Sequence, residues 1–318
     1  MFGPVRWQLI EFSLQHRLFD HLTEFRTSKQ IANNCGWITR QTRLLLDGLC
    51  SLGILEKFDE RYRMTDEAAP FLTQGSDFDM SELLLYMSSV RHSDSAKLEQ
   101  LLCRGATEYP KKTFDSPVFW RNSYRRLRSF QINFGLPIET NLLTELPEWP
   151  RVKSMLDLGA GSDTLAQSLV SLRSDLKIRL FDLPESARVI EKNLGNGNAV
   201  SILAGDFNLD PLGQGYDLIW ASMSLYFAKD LGSLMKKIKR ALKPGGVFLS
   251  FHEALSNHRT QPEKHVTGRL IPALNGHDLS FDDGQIAHEM EQAGFHRVEY
   301  KMVCADFGDM RLDIARTE

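Results

Sequence analysis

A glycine-rich loop after a short apolar segment is the first feature of this sequence that could carry chemistry. The segment 154–158 leads into Gly159-Ala-Gly161, and a helical pattern begins at Thr164. Glycines let the backbone approach a ligand closely, and the N-terminus of the following helix favours polar or negative groups. A dinucleotide-binding loop would have a third glycine where Thr164 stands. The loop therefore indicates a cofactor site and argues against NAD.

Three further side chains follow the next two predicted strands. Asp182 comes directly after the second strand, and Asp206 and Phe207 follow the third. A carboxylate at the end of the second strand is placed to accept hydrogen bonds from both hydroxyls of a ribose. Asp206 can accept from an adenine amino group, and Phe207 can lie against the adenine face. The structural alternatives are a turn residue at Asp182 and a plain core residue at Phe207.

A parallel sheet is needed to bring these residues to one edge. Apolar strands separated by helical crossovers predict such a sheet, covered by helices on both faces. The segments that predict strands are 154–158, 178–181, 200–204, 216–221, 247–251, 298–303 and 311–315. Only a short loop separates the last two, so they should pair antiparallel. The sequence predicts a Rossmann-like α/β domain over 106–318, with a mostly parallel seven-stranded sheet whose last strand is antiparallel.

Residues 1–105 have a different, mostly helical pattern. Apolar residues recur at helical spacing in 7–22 and 39–52, and two short strand-like runs flank Asp59-Glu60. Helix, turn, helix and hairpin in this order predict a winged-helix-like domain. Arg40 and Arg43 would begin a DNA recognition helix, but nearby acidic residues cancel their charge. A DNA- or ligand-binding regulator therefore stays an alternative.

Composition narrows the classes of partner. The 318 residues carry 38 Lys and Arg against 41 Asp and Glu, a net charge of −3. This balance lacks the clustered positive charge that nucleic acids or anionic membranes require, so we expect neither partner. The four cysteines lie far apart with no C-x-x-C, and the first residues lack a signal-peptide pattern. We therefore predict a cytoplasmic protein.

Four motifs, in this order, resemble those of one family. They are Leu156-Asp-Leu-Gly-Ala-Gly161, Phe181-Asp-Leu-Pro184, Gly205-Asp-Phe207 and Leu242-Lys-Pro-Gly-Gly246. Over nearly the whole chain, the sequence resembles the class I S-adenosylmethionine (SAM)-dependent small-molecule O-methyltransferases with an N-terminal winged-helix dimerisation domain. The resemblance implies SAM as cofactor, S-adenosylhomocysteine as product, and a homodimer. The cofactor-binding residues that it implies are Asp157, Gly159, Gly161, Asp182, Leu183, Asp206, Phe207 and Ser222.

Position 163 departs from the family pattern, which usually has a third glycine there. Asp163 could clash with the methionine end of the cofactor, or pair with its sulfonium or ammonium group. It could also cap the helix that begins at Thr164, because aspartate is favoured at such positions. We prefer the capping interpretation.

The catalytic position also departs from the family. Plant members have a histidine base after the fourth strand, where this chain has Tyr226; the supporting carboxylates match Glu253 and Asp278. A phenol with a pKa of about 10 is a poor base at neutral pH. Either Tyr226 orients the substrate while His252 takes the proton, or the acceptor needs no base, or SAM is bound without methyl transfer. We prefer an acceptor that needs no base.

A helical connection over 114–148 should line the substrate pocket. Its aromatic residues suit a flat or hydrophobic molecule, although helical spacing is typical of core residues too. They are Phe114, Phe119, Trp120, Phe130 and Phe134. Several histidines lie in 252–277, but no H-E-x-x-H or H-x-x-E-H pattern occurs, so we predict no metal site.

The sequence thus predicts a methyltransferase of specialised metabolism that acts on a small molecule, most readily at oxygen. The alternatives are S- or N-methylation, and SAM-dependent hydroxylation or cyclisation on the same fold.

Overall fold

The computed structural model describes residues 2–91, 93–106, 116–195 and 197–318, which form two compact units. The units are Met1–Val90 and Arg91–Glu318. The sequence analysis placed the domain boundary after residue 105, whereas the compact units divide 15 residues earlier. Within the described ranges, every helix is too short or too polar to cross a lipid bilayer.

The first unit is mostly helical and contains a small antiparallel sheet. Its helices are α1 (Gly3–Gln15), α2 (Ser28–Cys35), α3 (Thr39–Ser51), α4 (Ala69–Leu72) and α5 (Ser81–Arg91), the last of which ends at the boundary. Its strands are β1 (Arg26–Thr27), β2 (Leu55–Phe58) and β3 (Arg61–Met64), in the order β1-β3-β2. The predicted hairpin is β2–β3, and Asp59 and Glu60 in its turn have positive φ angles of 45° and 60°, as two-residue hairpin turns require.

The second unit contains the predicted seven-stranded sheet and two very short extra strands. Its strands are β4 (Ser154–Leu158), β5 (Lys177–Asp182), β6 (Val200–Ala204), β7 (Tyr216–Ser222), β8 (Leu242–His252), β9 (Ala254–Leu255), β10 (Phe281–Asp282), β11 (Arg297–Val303) and β12 (Met310–Arg316). The order in the large sheet is β11-β12-β8-β7-β4-β5-β6. β12 pairs antiparallel with both β8 and β11, and the other pairs are parallel. The predicted Rossmann-like architecture is confirmed.

Helices cover this sheet and precede it. They are α6 (Ser95–Arg104), α7 (Pro117–Phe130), α8 (Leu136–Thr144), α9 (Thr164–Leu172), α10 (Pro184–Asn193), α11 (Leu231–Ala241), α12 (Glu263–Leu274) and α13 (Gln285–Gln292). Between α7 and α8 the chain forms one π-helical segment, Gln131–Gly135. The helical connection predicted before the sheet is therefore α7, the π segment and α8; its first residues, with Phe114, lie outside the described residues.

The central strands are apolar on both sides because helices cover both faces of the sheet. Along β8, Val247, Leu249 and Phe251 pack into one core cluster, whereas Phe248 packs into the other. Alternate side chains of a strand point to opposite faces, so an uninterrupted apolar run fills both layers. β8 begins earlier than predicted, at Leu242, because Leu242 already pairs with Tyr216 of β7.

The strand order fixes where a ligand can bind. From β4 the chain continues to β5 and β6 on one side, and later to β7 and β8 on the other. In open α/β sheets, ligands bind beyond the carboxyl ends of the strands at such a switch point. The switch point here lies between β4 and β7, the strands that end at Leu158 and Ser222.

Truncating a leucine in the central sheet should destabilise the protein strongly. Leu249 is completely buried, whereas Leu172 at the end of α9 is 60% exposed. Leu249→Ala should lower the free energy of unfolding by about 2–5 kcal/mol, because it removes buried apolar atoms and leaves a cavity. Leu172→Ala, the same chemical change, should stay within about 0.5 kcal/mol. Urea midpoints measure both effects, and equal shifts would contradict the assignment of Leu249 to the core.

Candidate active site

The glycine loop after β4 requires glycine at two positions. Gly159 and Gly161 have φ angles of +77° and +66°, a region that side chains disfavour. A Cβ atom on Gly159 would lie 2.5 Å from Cβ of Ser224, and one on Gly161 would lie 2.8 Å from Cδ1 of Leu127. Any larger residue would therefore displace the loop from its neighbours.

Asp182 at the end of β5 holds this loop in place. Its Oδ2 accepts a hydrogen bond from the Gly161 N–H at 2.7 Å, and its Oδ1 accepts from the Leu183 N–H at 2.8 Å. Burial raises the pKa of Asp182, although the bonds from these two amides oppose that shift. Each carboxylate oxygen has a second lone pair, so Asp182 can still accept from a ligand hydroxyl.

Asp163 stands at the N-cap position of α9 but does not cap it. Its side chain makes no capping hydrogen bond; instead its Oδ1 accepts from the Tyr124 hydroxyl of α7 at 2.8 Å. The preferred capping interpretation is therefore wrong, because the carboxylate of Asp163 is hydrogen-bonded to a buried tyrosine of α7 instead of to the backbone of α9. The Ser162 hydroxyl likewise donates to Gln131 of the π segment, and Gln131 Nε2 donates to the Ala160 carbonyl at 3.3 Å. Three bonds therefore join the loop to the helical connection.

A buried glutamate of α8, Glu139, also faces this region. Its Oε1 accepts a hydrogen bond from the Ser222 hydroxyl at 2.7 Å, whereas its Oε2 has no partner in the described part of the chain. Burial raises the pKa of Glu139 to about 7. Burial, followed by repulsion from Glu139 and Asp182, raises the pKa of Asp157 as well. Sequence reasoning missed Glu139, although a carboxylate in the largely apolar helix α8 is an unusual residue.

The residues predicted to hold adenine have local roles in the structure. Asp206 Oδ1 accepts from the N–H and the side-chain amide of Asn208, both at 2.8 Å. Asn208 also donates to the Phe227 carbonyl at 3.1 Å and accepts from the Lys229 N–H at 2.8 Å. Phe207 is 9% exposed and packs into the core. Asp206 therefore orders the turn after β6 and, through Asn208, the loop after β7.

His252 at the end of β8 has no free lone pair. Its Nε2 accepts hydrogen bonds from the N–H groups of Ser224 and Leu225, both at 3.0 Å. The ring proton must then be on Nδ1, which lies 2.9 Å from the Ser250 hydroxyl oxygen. Burial lowers the pKa of His252 to about 3. This geometry makes the neutral imidazole a support for the loop after β7 and contradicts the hypothesis that His252 takes the acceptor's proton.

Tyr226 and Glu253 both contact the same arginine, Arg269, which sequence reasoning missed. Arg269 of α12 lies over the Tyr226 ring, with Cζ 4.6 Å from the ring centroid, and its Nη2 donates to Glu253 Oε1 at 2.5 Å. The other face of the tyrosine stacks on Phe281, with centroids 5.3 Å apart. The Tyr226 hydroxyl and Glu253 Oε2 are buried and have no hydrogen-bond partner among the described residues.

Asp278 does not join this group. Its carboxylate forms an ion pair with Arg259 at 2.7 Å, and its side chain is 53% exposed. The two carboxylates predicted to support the base are therefore apart in this structure: each forms an ion pair with its own arginine, and Asp278 lies in a solvent-exposed loop.

The described members of the predicted aromatic set make ring contacts with other aromatic residues. Phe130 and Phe134 form a cluster with Phe307, with centroids 5.1–6.4 Å apart. Phe119 lies edge-on to Trp120 at 5.1 Å. Among the described residues, no group of three or more His, Cys, Asp or Glu side chains is arranged to hold a metal ion.

Known proteins are similar to this chain in sequence. Residues 125–300, more than half of the chain, match the family model described as a methyltransferase domain. Acetylserotonin O-methyltransferase of Rattus norvegicus is 26% identical over 86% of this chain, which spans 66% of that enzyme.

Solved structures agree with this match at the level of the fold. Human N-acetylserotonin methyltransferase, solved with SAM, superposes with a TM-score of 0.78 at 22% identity, covering 99% of this chain and 95% of that one. An O-methyltransferase family protein from Burkholderia thailandensis gives 0.80 at 19% identity, covering 98% and 94%.

The predictions of an enzyme, of methyl transfer and of SAM as its cofactor are confirmed at the level of the family. With its family motifs, its sheet order and more than half of its length matched, the chain belongs to the methyltransferase-domain family, in the class I SAM-dependent fold.

Proposed function

We propose that this enzyme methylates a hydroxyl oxygen of a small molecule of specialised metabolism. The observation that carries the proposal is a pair of buried polar atoms at the sheet edge, the Tyr226 hydroxyl and Glu253 Oε2, for which the described part of the chain provides no hydrogen-bond partner. A buried polar group without a partner is costly, so a ligand that hydrogen-bonds both atoms would relieve that cost. Relatives named as O-methyltransferases support oxygen as the acceptor atom.

The residues at the switch point fit SAM. Two glycines keep the loop open for close backbone contact, and the buried carboxylates Glu139 and Asp157 form no ion pair with a described residue. A cofactor with cationic groups suits such an acidic site. We assign the ribose to Asp182 and Leu183, and the adenine to Asp206 and Phe207. The methionine part would lie along Gly159, Gly161 and Ser222, with Asp157 toward its amino group.

SAM, when bound, supplies a methyl group on a positively charged sulfur. The task of the protein is then to hold the acceptor oxygen in line with that group. An acceptor hydroxyl can donate to Glu253 Oε2 and accept from the Tyr226 hydroxyl, and this geometry fixes its position. Holding two reactants close together in the correct orientation can supply most of the rate acceleration that the reaction requires.

No histidine serves as general base in this proposal. Both ring nitrogens of His252 are used by Ser224, Leu225 and Ser250, and Tyr226 takes the place of the family's histidine. An acidic hydroxyl, such as that of a phenol with electron-withdrawing groups, fits best because it releases its proton to solvent easily, which leaves a nucleophilic oxygen to accept the methyl group. The same argument keeps a thiolate or an amine as the second candidate acceptor.

We further propose that the first unit is a winged-helix-like dimerisation domain and that the protein is cytoplasmic. Apolar side chains on α1 remain exposed in the single chain, including Val5 at 55% and Phe12 at 38%. The four cysteines are free thiols, which supports a reducing compartment.

The cofactor assignment can be tested by calorimetric titration with SAM and S-adenosylhomocysteine. Asp182→Asn removes the charge that holds Gly161 and would bind the ribose. It should weaken both ligands by about 1–3 kcal/mol, the usual loss for a charge-assisted hydrogen bond. Asp175→Asn, just before the opposite end of β5 and in an exposed ion pair, is the control and should bind both normally. Unchanged affinity in Asp182→Asn would remove Asp182 from the site, and no binding by the wild type would refute the proposed function.

Replacement of the phenol tests whether Tyr226 takes a proton. Once an acceptor is found by S-adenosylhomocysteine release, Tyr226→Phe should lower kcat less than about tenfold, below the 10²–10⁴-fold range typical of general bases. Tyr300→Phe, on an exposed side chain of β11, is the control. A loss of about 10³-fold in kcat would instead make the hydroxyl of Tyr226 the base.

Light scattering tests the proposed dimer. The particle mass should be twice that of the 36.3 kDa chain. Because α1 carries exposed apolar residues, Val5→Glu should shift the distribution toward single chains without lowering the melting temperature of the second unit. A single chain per particle in the wild type would disprove the dimer.

A further inference from the structure

We infer that Glu139 is a second carboxylate for the cofactor's amino group, in addition to Asp157. The inference rests on the proposed function, because it assigns an additional residue to the same cofactor site. Glu139 lies outside the four family motifs and comes from a helix that precedes the sheet.

The position of Glu139 follows from its contacts. Its Oε1 accepts a hydrogen bond from Ser222 at 2.7 Å, and Ser222 is the last residue of β7. Asp157, the residue that precedes the last position of the adjacent strand β4, is close enough for repulsion from Glu139 to raise its pKa. The glutamate therefore lies over the switch point between β4 and β7, where the glycine loop begins.

The chemistry of the free oxygen indicates which part of the cofactor it binds. Glu139 is 1% exposed, and its Oε2 has no partner among the described residues. An unpaired carboxylate oxygen requires a hydrogen-bond donor. The cofactor has two cationic groups, and only the ammonium has N–H donors; the sulfonium has none. The ammonium group is therefore the partner that satisfies both the charge and the missing hydrogen bond.

Among the described residues, the charged side chains that act on Glu139 and its neighbour Asp157 are acidic. Asp157 faces Glu139 from β4, and repulsion from Asp182 at the end of β5 helps to raise the pKa of Asp157. Without a cation, burial favours the protonated form of Glu139, whose pKa is raised to about 7. Binding an ammonium group favours the ionised form, so below neutral pH the carboxyl must release its proton to solvent. Cofactor affinity should therefore fall as the pH falls below 7.

Three ligands separate the amino-acid end of the cofactor from its adenosine and sulfur, and the proton release at two pH values then identifies the amino group as the partner of the carboxylate. SAM and S-adenosylhomocysteine both have the ammonium group, whereas 5′-methylthioadenosine has the adenosine and sulfur without the amino acid. We would titrate the wild type, Glu139→Gln and Glu145→Gln by calorimetry at pH 7.0 and 5.5, in two buffers of different ionisation enthalpy. Glu145, the exposed residue after α8, provides the same chemical change outside the site.

The wild type should lose about tenfold or more in affinity for SAM between pH 7.0 and 5.5, because the pKa of Asp157 is raised as well as that of Glu139. At pH 5.5 it should release about one proton more per SAM bound than Glu139→Gln. Glu139→Gln should bind SAM and S-adenosylhomocysteine about tenfold or more weakly at pH 7.0, to a similar extent for both. It should lose the share of the proton release that comes from Glu139, keep the share that comes from Asp157, and bind 5′-methylthioadenosine normally. Glu145→Gln should behave like the wild type throughout.

Each other outcome overturns the inference for a different reason. Wild-type affinity and proton release in Glu139→Gln would mean that Glu139 does not contact the cofactor. A loss confined to SAM would indicate the sulfonium instead of the ammonium. A parallel loss of 5′-methylthioadenosine would indicate general damage to the adenosine site. A wild type that binds none of the three would refute the proposed function itself, a result that differs from all of these.

Discussion

The tight contact between the glycine loop and its neighbours is the constraint on which the rest of the site depends. Gly159 and Gly161 adopt left-handed backbone angles. Ser224 lies too close to Gly159, and Leu127 too close to Gly161, to leave room for a Cβ atom. Asp182 fixes the loop from the side of β5 through the Gly161 amide. A loop held in this way presents its backbone to a ligand at low entropic cost, because its conformation is already set before binding.

The same loop couples the cofactor site to the acceptor side. Asp163 accepts from Tyr124 of α7, and Ser162 contacts Gln131 of the π segment. Interruptions of this kind in α-helices occur frequently at functional sites. The helices that should line the acceptor pocket are therefore anchored to the residues that should hold the methyl donor. Such anchoring suits a reaction whose rate depends on the alignment of two bound molecules more than on proton transfer.

The sequence predicted the parts of the molecule that depend on local patterns. The seven strands, the hairpin around Asp59-Glu60 and the glycine loop follow from apolar runs and turn residues that are near one another in the chain. Glu139 and Arg269 could not be predicted in this way, since their roles depend on partners brought close by the fold: Ser222 lies 83 residues after Glu139. Asp163 was misassigned because its partner, Tyr124, comes from another helix. The ion pair of Asp278 with Arg259 likewise depends on the fold and could not be predicted from local patterns.

Arg269 gives a physical reason for tyrosine at the family's catalytic position. An imidazole at position 226 would lie against a guanidinium group, now 4.6 Å from the ring centroid, and this positive charge would oppose its protonation. A base that cannot hold a proton cannot serve as one. A phenol ring, in contrast, gains from a cation above its face. Arg269 also forms an ion pair with Glu253, the carboxylate that would support a histidine base in the family. The tyrosine at the base position, the arginine and its pairing with the carboxylate are therefore consistent with one another. They favour an acceptor that is acidic enough to ionise, and so to accept the methyl group, without a general base.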